Sequence, residues 1–300
     1  NPKNYKSSSR DVKKHLKEFV RENVDGVILD LRSNGGGGLD EAINMAGLFI
    51  GHNPVVIVRQ SGGRRVTVHR SRERAVYDGP LLIMLNRYSA SASEILAGAM
   101  HDYQRAILAG DTTTFGKGTV QNIFQLPEGY GALKVTIAQF YRVSGWSTQN
   151  RGVETSLVLP SLYNVRDIGE STLDNALPWR SIDQVSYQVN GNLKKILPKL
   201  KQLSENRIAN SEFFQKVKED VQEYLTTIKP LKYTSILKMQ EDDLRRKTQR
   251  DQELGSVSEK ADEDDSDDTE IEEEKKEIQQ DEYMKESLDI LSDYIKMQKK

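Results

Sequence analysis

Up to about residue 160 the chain moves between two hydrophobic rhythms. Short, nearly all-apolar runs at residues 26–31, 55–58, 81–85, 106–109 and 157–159 have the length and composition of strands buried on both faces. Period-two alternation at 65–68 and 133–140 predicts strands with one wetter face. Between these runs, three- and four-residue spacings predict helices. One carries Val12, Leu16, Phe19 and Val20 behind a Ser9 cap, and two more are expected over 39–49 and 93–100. Strands alternating with helices indicate an α/β domain.

Beyond residue 160 the pattern is helical only. Phe214, Val217, Val221, Tyr224, Leu225 and Ile228 fall on one face and stop before Pro230, and Met284, Leu288, Leu291 and Ile295 repeat the spacing. The boundary is expected between 160 and 185, with an α/β core over residues 1–165 and a helical C-terminal domain over 166–300. No apolar run approaches the ~18 residues that a membrane-spanning helix requires. The opening Asn1-Pro2-Lys3 lacks both an initiator Met and a signal peptide's apolar stretch, so a fragment or processed form is expected.

Composition narrows the chemistry. With 36% hydrophobic and 29% charged residues in 300, the chain is neither collagenous nor wholly disordered. It has no cysteine, which removes disulfides, thiol nucleophiles and thiolate metal ligands. The net charge of −2 averages two unlike parts. Between Glu259 and Glu277 twelve acids face three lysines, a block expected to stay solvated and disordered because it cannot bury enough apolar surface. The remaining basic excess is dispersed, without the aromatic-interleaved stripe of a nucleic-acid binder.

Four histidines limit the available serine chemistry. A Ser-His-Asp triad needs an imidazole within hydrogen-bond reach of the hydroxyl. His101 stands ten residues beyond Ser91 on one expected helix, about 15 Å along its axis. His15, His52 and His69 show no carboxylate companion in the sequence and read as surface residues, and no HExxH spacing is present. Another base is required if a serine is to act.

Three segments bear chemistry. The serine and alanine run Ser89-Ala90-Ser91-Ala92-Ser93-Glu94 separates a strand from a helix, where a tight turn exposes one hydroxyl at a helix N-terminus. A plain helix cap would have the same composition. Gly35-Gly36-Gly37-Gly38 ends the first buried strand, and successive glycine N–H groups there form either an oxyanion-binding nest or a flexible turn. Phe115-Gly116-Lys117-Gly118-Thr119 has a P-loop look but fails the GxxxxGK[ST] pattern at Asp111 and at Gly118. What remains is a lysine in a tight turn leading into an extended segment, with Lys117 and Gln121 on the same face if the period of two holds. A lysine in a site of low dielectric gives up its proton and serves as a general base.

Taken in order, residues 29–37, residues 89–95, residues 115–121 and the later Phe140-Tyr141-Arg142 with Gly152-Val153 closely resemble the carboxyl-terminal processing peptidases, peptidase family S41, and among them the periplasmic tail-specific proteases. The likeness covers residues 27–160, and Asp174 to Trp179 resembles the start of their C-terminal helical region. It implies a crotonase-like (ClpP/crotonase) β-spiral protease core with Ser91 as nucleophile, Lys117 as general base and Gln121 orienting Lys117. The N–H groups of Gly37 and Ala92 are implied to form the oxyanion hole. The implied activity is ATP-independent endoproteolysis of proteins with nonpolar C-termini, without metal, nucleotide, nucleic acid or other cofactor. Periplasmic placement follows from the resemblance, with association to the inner membrane and an adaptor lipoprotein partner compatible with it. The substrate-recognising PDZ domain of such proteins is expected upstream of Asn1. The rival reading is a non-catalytic peptide- or lipid-binding module of the same fold.

Overall fold

The structure is a computed structural model that describes residues 6–229 and 281–298, apart from Arg64, Glu128 and Asn190. The acidic block between Glu259 and Glu277 lies outside the described residues. Among the described residues eight strands form two four-stranded sheets. The first is parallel and contains β1 (Val27–Asp30), β4 (Leu81–Leu85), β5 (Ile107–Gly110) and β8 (Leu157–Val158), in the order β1-β4-β5-β8. The second is antiparallel, in the order β3-β2-β7-β6, from β2 (Pro54–Gln60), β3 (Val66–Arg70), β6 (Thr119–Gln125) and β7 (Ala132–Tyr141).

Among the described residues six α-helices accompany them: α1 (Ser8–Glu22), α2 (Leu39–Ile50), α3 (Ala92–Asp102), α4 (Leu193–Asn210), α5 (Glu212–Glu223) and α6 (Glu282–Gln298). The apolar run of β4 is explained by cover on both faces. Leu81, Ile83 and Leu85 pack with Leu48 and Phe49 of α2 and Leu96 and Met100 of α3. Leu82 and Met84 face the other way, toward Leu200 of α4, Phe214 of α5 and Ile290 and Leu291 of α6. The C-terminal helices thus supply half of the cover that the parallel sheet requires.

The antiparallel sheet is only partly covered. In β7, Ala132 to Lys134 and Ile137 are exposed and Val135 and Thr136 half-buried, and Ile123, Phe124 and Leu133 present large apolar side chains to solvent. The single wetter face expected from the alternation at 133–140 is therefore not found over the outer half, where Leu133 and Ile137 on its apolar phase are exposed; only from Ala138 on do Ala138, Phe140 and Tyr141 become buried.

At α1 the structure corrects the expected cap. Ser7 rather than Ser9 caps the helix, its Oγ accepting from the Arg10 N–H. Glu41 at the start of α2 accounts for the difference, because its carboxylate accepts from the Ser9 N–H at 2.8 Å and from the Ser7 hydroxyl at 2.9 Å. A carboxylate from a neighbouring helix thereby satisfies one of the unpaired donors at the helix start, and the Ser9 hydroxyl is left buried against Ser7.

Candidate active site

Strand direction assembles the site. β1, β4 and β5 are parallel neighbours, so the segments leaving their C-terminal ends emerge at one edge of the sheet, where α/β proteins place their ligands. Those segments are the glycine run after β1, the Ser91 turn after β4 and, after β5, residues 111–118 with Lys117.

Ser89, Ser91 and Ser93 are told apart by their environments. Ser89 is fully buried, donating to the Leu31 carbonyl at 2.8 Å and accepting from the Asn86 N–H at 3.0 Å. Ser93 is buried and donates to the Asn34 carbonyl at 3.0 Å. Ser91 alone is partly exposed and takes φ 58°, ψ −113°. A β-carbon at positive φ costs of order 1–3 kcal/mol, retained only where surrounding contacts enforce it. This is the sharp strand-to-helix geometry that presents a nucleophile at a helix N-terminus. The α3 helix is unbroken from Ala92 to Asp102, so His101 is held far from Ser91, where it contacts Arg142 Nη2 at 2.6 Å. His15, expected to lack a carboxylate companion, lies 3.3 Å from Glu18, one helical turn away.

The glycine run is stitched against the Ser91 turn. Asn34 accepts from the Ala90 N–H at 3.0 Å and, through its side chain, from the Gly36 N–H at 2.9 Å. Gly36 has φ +97°, and a β-carbon there would come within 2.7 Å of the Ala92 nitrogen and the Ala90 carbonyl oxygen. Only glycine tolerates both the backbone and the approach. Gly37 follows in an exposed position beside the start of α3, and neither its N–H nor that of Ala92 has a hydrogen-bond partner among the described residues.

The Lys117 turn is fixed through its main chain. Gly116, at φ +91°, presses against the backbone of Asn150 to Gly152, and the Lys117 carbonyl accepts from Thr148 Oγ1 at 2.9 Å. On its other side stands Glu94, a residue singled out by no motif above. Its buried carboxylate accepts from Thr114 Oγ1 at 2.6 Å and from the N–H groups of Gly116 at 2.7 Å, Lys117 at 2.9 Å and Ser91 at 2.8 Å. Ser91 and Lys117 share the same oxygen, Oε2, which caps the separation of their nitrogens at about 5.7 Å. Burial pushes the Glu94 carboxyl up to about 7, and its four donors pull the other way.

The structure therefore brings Ser91, Lys117, Gly37 and Ala92 to one edge, and lysine's four-carbon stem is long enough to span the gap to Ser91. Ser91 Oγ and Lys117 Nζ do not hydrogen-bond to each other in this state. Gln121 departs from the expected arrangement. Its side-chain amide donates to Thr119 Oγ1 at 2.9 Å, two residues away on the same face of β6, and Lys117 precedes that strand, which begins at Thr119, so the period of two does not extend to it. The signal for Glu94 was present as Ser91-x-x-Glu94, the spacing of a capping box; its reach to the Lys117 turn was not legible from one chain segment.

A strained serine at a helix start, unpaired N–H groups beside it and a lysine turn bonded to the same carboxylate thus meet at one edge of the sheet. The chain matches Peptidase family S41 over residues 2–159 and the C-terminal domain of tail specific protease over residues 163–296. It belongs to peptidase family S41. It is 43% identical over 216 residues to the tail-specific protease of Haemophilus influenzae, covering 69% of this chain and 31% of that protein. It is 40% identical over 161 residues to the carboxy-terminal-processing protease of Bartonella bacilliformis, covering 51% and 36%. Among solved structures, the photosystem II D1 C-terminal processing protease aligns at 31% identity with a TM-score of 0.47, covering 52% of this chain and 40% of that one. The chain spans about a third of the length of these curated relatives. Its α/β core with a helical C-terminal region agrees with the crotonase-like architecture expected for the family.

Proposed function

We propose that the protein is an ATP-independent serine endopeptidase using a Ser91/Lys117 dyad on proteins recognised by nonpolar C-termini. The observation that carries the reading is the strained Ser91 whose main chain shares one Glu94 oxygen with the main chain of Lys117. Membership in S41 supports a peptidase, and the names of the relatives, tail-specific and carboxy-terminal-processing, support action near C-termini.

In this mechanism Ser91 Oγ attacks the scissile carbonyl while the uncharged Lys117 amine takes its proton. The oxyanion faces the N–H groups of Gly37 and Ala92 at the positive end of α3. Lys117 then protonates the departing amine, and in the second half it takes a proton from the water that hydrolyses the acyl-enzyme. Gln121 is given the role of orienting the lysine, its side-chain oxygen accepting from the amine. Nonpolar-tail recognition, an adaptor lipoprotein and periplasmic residence extend the same proposal to the whole polypeptide.

The test is cleavage of an unstructured protein with an apolar C-terminus by the whole polypeptide. Ser91→Ala and Lys117→Ala are each expected to abolish turnover, by at least about 10³-fold, while a charged C-terminus on the substrate slows the parent enzyme. Retained turnover in either variant overturns the dyad.

A further inference from the structure

Glu94 takes the N–H groups of Gly116 and Lys117, and Asn150, Thr148 and Phe140 of the core take the carbonyls of Gly116, Lys117 and Gly118. The two carbonyls on which the Lys117 turn enters are held from elsewhere. Arg87, four residues before Ser91, donates through Nη1 to the Thr114 carbonyl at 2.9 Å and through Nη2 to the Ile168 carbonyl. The Glu170 N–H donates to the Phe115 carbonyl at 2.9 Å. Ile168 and Glu170 lie in the C-terminal region, which begins at residue 163.

Gly169 sits between these two bonds at φ +136°, and a β-carbon there would stand 2.8 Å from the Phe115 carbonyl oxygen and 2.9 Å from Arg87 Nη2. The contact is closed to any side chain. The same segment is tied outward as well, because the Arg166 guanidinium lies 5.7 Å from the centre of the Tyr224 ring, just past α5, and Lys229 pairs with Asp167 at 3.3 Å. An unbroken series of contacts therefore runs from the helical region to the Lys117 turn.

We infer that residues 168–170 of the C-terminal region help to position Lys117, and that Arg87 is the positioning residue through which they act. The inference rests on the reading of Lys117 as general base. A guanidinium suits the task because its planar fork donates in two directions and keeps its charge at every working pH. Bonds from a charged donor are also stronger than those between neutral groups. The lysine amine rides on a stem rooted in this turn, so a shift of Thr114 and Phe115 is carried to the distance between the amine and Ser91. The helical region thus does more than cover the parallel sheet.

The experiment measures how fast a small fluorophosphonate acylates Ser91 in the whole polypeptide, for Arg87→Met and Gly169→Ala, each made alone and together with Lys117→Ala. Methionine keeps much of the arginine stem and removes the donors, while Gly169→Ala leaves Arg87 in place and presses on it from the C-terminal region. A final labelled fraction equal to the parent's shows that a variant is folded. Each single variant is expected to react at least about tenfold more slowly than the parent, because a misplacement of about 1 Å can cost about 10²-fold. In the Lys117→Ala background either change is expected to alter the rate by less than about twofold, since the residue being positioned is gone. A purely structural role gives the same loss in both backgrounds, and that result overturns the inference, as does a folded single variant that reacts at the parental rate. Should Arg87→Met not fold, Gly169→Ala and Arg87→Lys decide, the latter because an ammonium does not reproduce the planar fork. Failure of the dyad reading is seen separately, as a Lys117→Ala variant that reacts as fast as the parent, and the inference then falls with it.

Discussion

The two sheets of this protein carry their apolar residues in different ways, and the difference explains where the chemistry sits. In the parallel sheet every residue of β4 and β5 is buried, with α2 and α3 on one face and the C-terminal helices on the other. Such a sheet leaves only its strand ends free, and the glycine run, the Ser91 turn and the Lys117 turn all leave its C-terminal edge. The antiparallel sheet has exposed apolar side chains, and it contributes the strand that begins two residues after Lys117. The buried sheet thus holds the Ser91 turn, the less covered sheet extends from the Lys117 turn, and the carboxylate of Glu94 bonds to the main chain of both.

Removing that joint is expected to have the largest effect. Glu94→Gln replaces a carboxylate that accepts four hydrogen bonds by an amide whose NH2 group opposes some of the same donors. Hydrogen bonds to a charged group are worth about 1.5–3 kcal/mol each, so turnover should fall at least about a hundredfold, with a lower Tm. The pH dependence supplies a second reading. The folded-state pKa of Glu94 is raised from 4.5 to about 7, so its contribution to stability is fully present below the unfolded value and declines as pH rises from there through about 7. The Tm of the parent relative to Glu94→Gln should therefore drop between pH 4.5 and 7.5. A difference that is flat across this window contradicts the assignment of a buried, titrating clamp.

The next effect tests the cover of the parallel sheet. Ile290 of α6 is fully buried against it, and Ile290→Ala should cost about 2–5 kcal/mol of unfolding free energy, measured by denaturant titration. A small cost would show that the helical region sits loosely on the core. A weaker effect is expected at Asp281, which accepts from the Tyr283 and Met284 N–H groups at the start of α6 and pairs with Arg32 at 2.6 Å. Arg32 also grips Asp30 at the end of β1, just ahead of the glycine run. Asp281→Asn preserves a good helix cap while removing the charge. Stability should change by less than about 1 kcal/mol because the pair is partly exposed, and turnover should fall a few-fold if α6 steadies that loop. Phe124→Ser, on the open sheet, is expected to have the smallest effect, within about 0.5 kcal/mol.

Much of this architecture could be read from residue pattern because burial on both faces writes itself as unbroken apolar runs. The runs at 81–85 and 106–109 mark β4 and β5 closely. Ser91 and Lys117 stood out by local composition, yet their nearness depends on three strands running side by side, which no single segment encodes. Glu94 was invisible as a joint because its partners lie 20 to 23 residues downstream. The Ser9 cap was misplaced for a similar reason, since Glu41 comes from another helix. Gln121 shows the limit of strict alternation, because β6 begins at Thr119 and the parity shared by Thr119 and Gln121 does not extend back to Lys117.

The dyad itself is tested most directly by the rate at which a fluorophosphonate acylates Ser91 across pH 6 to 10 in the parent and in Lys117→Ala. The account predicts a parental rate at least a hundredfold above that of the variant at every pH. Equal rates in the two proteins would contradict it.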